Sequence, residues 1–111
     1  MDPTQQDVQN AFQELYDNLT DAYWAAWNIE DKDRIRGCAD VIFQILSQLT
    51  VDDIKSRSAE FEDLKNSVQS VTKKLEQLQS EIDGIVHNIQ IASSVAAGIT
   101  KVLTIAAGFM G

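Results

Sequence analysis

From Phe61 to Met110 one apolar stripe runs without a misstep. Its members are Phe61, Leu64, Val68, Val71, Leu75, Leu78, Ile82, Ile85, Ile89, Ala92, Ala96, Ile99, Leu103, Ala106 and Met110. The steps alternate three and four, a period of about 3.5 residues held for about seven heptads, which is a coiled-coil type of helical signal. Such a ridge must be covered, by the rest of the chain or by a partner. A helix running from about residue 51 to 110 would be ~90 Å long at 1.5 Å per residue, more than two shorter helices could cover. Gly84 is the one place where it could break, since glycine costs ~1 kcal/mol relative to alanine inside a helix. A reversal normally resets the stripe, and the stripe does not reset, so the spacing predicts continuity. The alternative is a break at Gly84 that folds residues 85–111 back into a four-helix arrangement.

The front half carries two further stripes. Asp2-Pro3-Thr4-Gln5 has the form of a helix start, with Asp2 as N-cap, Pro3 at the first helical position and Gln5 closing a box. Val8, Phe12, Leu15, Leu19, Ala22, Ala26 and Ile29 then share one face of a helix over about 3–29, with Tyr16, Tyr23 and Trp27 beside it and Trp24 pointing away. The phase slips at Glu30-Asp31-Lys32-Asp33. A second helix over about 32–48 follows, with Ile35, Cys38 or Ala39, Ile42, Ile45 or Leu46, and Leu49 inward; a single bent helix to residue 49 is the alternative. At Thr50-Val51-Asp52-Asp53, Thr50 can cap and the two acids suit the positive end of a third helix. The expectation is one all-α domain over 1–111, a bundle or hairpin with one long, coiled-coil-like C-terminal helix.

Five glycines and one proline leave too little turn punctuation for a sheet protein. The net charge of −8 argues against nucleic acid, because counterion release needs a basic stripe. That charge is lopsided: residues 1–63 hold 14 acidic and 5 basic side chains, and residues 64–111 hold 3 and 4. The start Met1-Asp2-Pro3-Thr4 is polar and acidic, unlike a secretory signal, which makes the cytoplasm the default expectation.

No residue set promises catalysis, a cofactor or a metal. Asp31-Lys32-Asp33 begins like a calcium loop, but Ile35 and Arg36 stand where that loop needs an oxygen ligand and a glycine. His87 falls outside the stripe with no ligand partner at zinc spacing. Cys38, the only cysteine, lies on an apolar face as an inert thiol. No glycine-rich phosphate loop is present, so no small-molecule substrate is expected.

The expected function is therefore a non-enzymatic interaction or self-assembly protein, a homo-oligomer or the partner of another helical protein, contacting through the Phe61–Met110 stripe. Trp24 is a candidate exposed anchor, since outward tryptophans often seat in contacts. A second reading is membrane activity. After Gly84 only Lys101 carries full charge, Val95, Val102, Ile105 and Phe109 widen the apolar surface as candidate lipid-facing residues, and small residues such as Ala97, Gly98 and Gly108 allow close helix approach. In outline this resembles the α-helical pore-forming toxins, in its long helices and apolar small-residue segment. The resemblance implies insertion of residues 85–111 into lipid and carries over no residue roles. A third reading is a small acidic inhibitor or immunity-type partner of a basic protein, from the acidic front half.

Overall fold

The computed structural model describes residues 3–110. Among them are four α-helices: α1 (Gln5–Ala25), α2 (Ile29–Gln48), α3 (Ser58–Ile85) and α4 (Ile89–Met110), with a single 3-10 turn at Ile54–Ser56. The helices run up and down around a ring. α1 packs on α2 and α4, and α3 packs on α2 and α4. The bundle measures 43 × 26 × 19 Å, so no helix projects as a rod.

Side-chain caps place the starts of α1, α2 and α4. α1 starts at a capping box in which the Asp7 N–H donates to Thr4 Oγ1 at 3.1 Å and the Thr4 N–H donates to Asp7 Oδ2 at 2.9 Å. Thr4 is therefore the N-cap, and Gln5 lies inside the helix; the start expected at Asp2 rests on a residue outside those described. Gln5 instead holds the far loop. Its Nε2 donates to the carbonyls of Leu49 and Val51, and its Oε1 accepts from the Ile54 N–H at 2.9 Å. That loop turns through Asp53, whose φ of 48° is left-handed, a conformation aspartate tolerates better than most side chains. The third helix begins only at Ser58, seven residues later than expected. Thr50 closes α2 rather than opening α3: its hydroxyl donates to the Ser47 carbonyl at 2.7 Å.

The first helix ends at Ala25, not 29, and the second begins at Ile29, not 32, because Asn28 is the cap. Its side chain accepts from the Asp31 N–H at 2.9 Å. Glu30 and Asp31, which suggested a kink, lie in the first turn of α2, where the helix dipole favours acids.

The long helix is broken, and the four-helix alternative holds. The break lies at Val86-His87-Asn88, while Gly84 itself is helical. Asn88 repeats the role of Asn28, accepting from the N–H groups of Gln90 and Ile91. What ends both helices without glycine or proline is a contact between the turns. Ala26 and Val86 form an antiparallel bridge; the Trp27 N–H donates to the Ile85 carbonyl at 3.1 Å, and the His87 N–H donates to the Ala25 carbonyl at 3.3 Å. Carbonyls left over at each helix end are thus satisfied by the other turn.

The core is apolar throughout: among the described residues no polar or charged side chain is buried. α3 buries Leu64, Val68, Val71, Leu75, Leu78, Ile82 and Ile85, as its stripe requires. α4 buries Ala92, Val95, Gly98, Ile99, Val102, Ala106 and Phe109. Half of its stripe has moved by one residue: Ala92, Ile99 and Ala106 stay buried, but Ala96, Leu103 and Met110 are only half-buried, and Ile89 is outside the core entirely. Val95, Val102 and Phe109, the candidate lipid-facing residues, are core residues, with Ile105 half-buried beside them. After the reversal α4 turns its face toward α1 and α3, keeping Ala92, Ile99 and Ala106 inward while Val95, Val102 and Phe109 replace their neighbours. Gly98 lets α1 approach closely, since a Cβ there would lie 3.3 Å from Leu15 Cδ1 and 3.3 Å from Asn18 Nδ2. Polar ties cross three seams: Lys101 to Glu14 at 3.2 Å on this same α1–α4 seam, Gln79 Nε2 to the Ala96 carbonyl and Thr100 Oγ1 between α3 and α4, and an Arg34–Glu81 ion pair between α2 and α3.

Candidate interaction surface at the paired turns

With the stripes used internally, the exposed apolar side chains stand out by position. Trp24 is 74 % exposed, Trp27 62 %, Ile29 73 % and Ile89 79 %. All four lie in or within three residues of the turns at 26–28 and 86–88, hence at one end of the bundle. Ile29 and Ile89 are the first residues of α2 and α4, directly after the two Asn caps, where a helix has no neighbour to cover a side chain. Trp27 follows the extended residue Ala26, beyond the α1 stripe it was expected to widen, and is held by the edge of its neighbour across the bridge. Its ring and the His87 ring meet at 83° with centroids 4.6 Å apart.

Trp24 begins a second, contiguous feature. It meets Tyr23 edge-on at 5.2 Å, and Lys32 Nζ lies 4.9 Å from the Tyr23 ring centre and 5.5 Å from that of Trp24 while donating to the Tyr23 carbonyl at 2.8 Å. From there an open cleft of about 400 Å³ runs between α1 and α2, walled by Tyr16, Tyr23, Trp24, Ile35, Arg36 and Ala39. Tyr16 and the exposed Phe43, 6.0 Å apart, extend this aromatic side. Of the early aromatic cluster Phe12 is fully buried, Tyr16 and Tyr23 are half-buried against the core, and only the tryptophans are exposed.

The other residues weighed from sequence are placed as follows. Cys38 is a free, buried thiol on α2, and burial raises its pKa above the ordinary 9.0 against a smaller opposing pull from Lys74 and Arg34. His87 is exposed and engaged with Trp27. Asp31 and Asp33 sit two residues apart in α2 and so point to nearly opposite sides of the helix. Among the described residues no three His, Cys, Asp or Glu side chains gather as a metal site would require.

The outward position of Trp24 is legible in the sequence; Trp27 lies beside a stripe and Ile29 and Ile89 keep stripe spacing, yet all three are exposed. One signal could have found them. Trp27-Asn28-Ile29 and His87-Asn88-Ile89 share the order ring, Asn, Ile, and asparagine is a strong helix cap. The recurrence marks two equivalent helix starts.

Comparison with family models, with curated proteins and with solved structures gave no match for this chain.

Proposed function

We propose that this protein is a non-enzymatic interaction module, a closed four-helix bundle that docks on a partner protein through the end formed by its paired turns. One observation carries the reading: the bundle spends its helical stripes on its own core, yet leaves Trp24, Trp27, Ile29 and Ile89 exposed together at one end. Covering a large apolar side chain contributes roughly 1.5–3 kcal/mol, so four of them form a strong anchor. The stripe from Phe61 to Met110, Ile89 apart, is turned into the bundle, which would have to open before that stripe could serve as an oligomer seam.

Panning a random peptide library against the chain, with counter-selection on Trp27→Ser/Ile89→Ser, tests this. Recovery of binders lost on that double variant supports docking at this end. Binders indifferent to the variant, with its circular dichroism and melting unchanged, would sink it.

A second reading, lipid insertion, draws on α4 alone. It has 22 residues, a mean hydropathy of 1.5 over its best window and a single charge at Lys101, enough in length and composition to cross a membrane. Since Val95, Val102 and Phe109 are core residues, insertion would require α4 to leave the bundle. Ala97 faces solvent, so Ala97→Asp keeps the fold while charging any would-be span. Leakage from vesicles that this variant abolishes would favour lipid over protein.

A further inference from the structure

We infer that the partner segment received at the paired turns is basic as well as apolar: a stretch of another protein carrying Lys or Arg around an apolar anchor. The inference rests on the docking reading above and adds the chemistry of the occupant. Asp21, Glu30, Asp31, Asp33 and Asp83 all lie within about two helical turns of the paired turns. Of the nearby cations, Lys32 and Arg34 are already engaged, and Arg36 lies about a turn further along α2, on the cleft beside Trp24. Lys32 is held over Tyr23 and Trp24 and bonded to the Tyr23 carbonyl, and Arg34 pairs with Glu81.

Helix dipoles do not cancel this charge. Two helix N-termini (α2, α4) and two C-termini (α1, α3) meet here, so their end charges oppose one another and side chains decide the field. Asp83 occupies the last turn of α3, where a carboxylate faces the negative end of the dipole, and neither α1 nor α3 carries a basic residue in its last turn. The fold gains nothing from an acid at that position; a partner's cation would. The exposed ring of Trp27, close in the chain to Glu30, Asp31 and Asp33, suits an arginine or lysine stacking on it.

The same charges argue against the other occupants. A second copy would bring two acidic ends together, and an anionic membrane surface would be repelled. A basic segment is attracted at range, which raises its association rate at low salt.

The chain's two tryptophans, Trp24 and Trp27, both lie in the patch, so intrinsic emission reads the site directly. Three tryptophan-free amphipathic 16-residue peptides with one apolar face, and with Lys/Arg, Gln or Glu flanks, would be titrated into the full chain. The expected result is a blue shift with the basic peptide, at least roughly tenfold tighter than with the Gln twin. Raising salt from 50 to 300 mM should remove that preference, because exposed charges are screened. The shift should be lost on Trp27→Ser/Ile89→Ser with the fold intact by circular dichroism. Equal or tighter binding of the Gln or Glu twin would overturn the basic partner while leaving docking standing. No shift with any of the three would overturn it too, and library binders indifferent to the double variant would remove docking as well. A blue shift with phosphatidylcholine vesicles, or one that grows with protein concentration alone, would replace the basic segment with lipid or a second copy.

Discussion

The hairpin of α1 and α2 turns through Ala26-Trp27-Asn28, and that of α3 and α4 through Val86-His87-Asn88. Both end a helix with an extended, buried apolar residue, present a ring at the next position and cap the following helix with asparagine. Around these matching turns the hairpins differ. The first carries Tyr16, Tyr23, Trp24, Trp27 and Phe43 on or near the surface within an acidic setting; the second holds its phenylalanines as one pair, Phe61 and Phe109, away from the turn, and its α4 is rich in small residues and pressed against α1 at Gly98. The two turns are each other's hydrogen-bond partners, so closing the bundle and presenting the exposed end are one structural event. Turn geometry is set by that shared bridge, and side-chain chemistry is then free to differ.

The sharpest way to break this comparison is on α4. Val95→Asp places a charge at a position with no exposure and should cost more than about 4 kcal/mol, abolishing cooperative melting. Ala97→Asp, two residues on and exposed, should change stability by no more than about 0.5 kcal/mol. The reverse ranking would mean that α4 presents its other face inward.

Smaller effects come from two glycines of the second hairpin, one on each of its helices. Gly98→Val should destabilise by about 1–3 kcal/mol, since its Cβ already crowds Leu15 and its methyls must displace α1. Gly84→Ala meets nothing within 4 Å and should instead stabilise by up to about 1 kcal/mol, seen as a higher melting temperature.

Equivalence of the turns predicts matched cap losses. Asn28→Ala and Asn88→Ala should each cost about 1 kcal/mol by denaturant titration. A much larger loss at one would show that its turn alone organises the bridge.

The weakest effect is expected from Cys38 and depends on pH. Its folded pKa is raised by burial, so the unfolded chain releases the thiol proton first as pH climbs. Its contribution is fully present below the ordinary 9.0 and is lost as pH rises through the folded value. Wild type should therefore lose stability above pH 9 relative to Cys38→Ala, and a thiol reagent at pH 8 should react only as fast as the chain opens.

How far the residues alone could be read differs sharply between α3 and α4, although both keep the same period. On α3, polar and charged neighbours such as Glu60, Lys65, Lys74, Glu76 and Glu81 flank the stripe and exclude every other phase. On α4 the stripe positions have apolar neighbours: Val95 beside Ala96, Val102 beside Leu103, Phe109 beside Met110. Either member of each pair continues a helical face, and with only Lys101 charged nothing local rejects the second choice. Ile89 failed for a different reason. It keeps the spacing of the stripe, but it opens a helix at the end of the bundle, beyond the reach of any neighbour.

The all-α class, the inward faces of α1, α2 and α3, and the outward position of Trp24 follow from the chain alone, because keeping charged groups in water and apolar ones out of it acts over a few neighbouring residues. The reversal at Val86-His87-Asn88, the face α4 buries and the gathering of Trp24, Trp27, Ile29 and Ile89 at one end were settled by folding. They depend on the Ala25 carbonyl accepting from His87 and the Ile85 carbonyl accepting from Trp27. Hydrogen bonds between backbone groups some sixty residues apart leave no trace in side-chain order, whatever the period on either side.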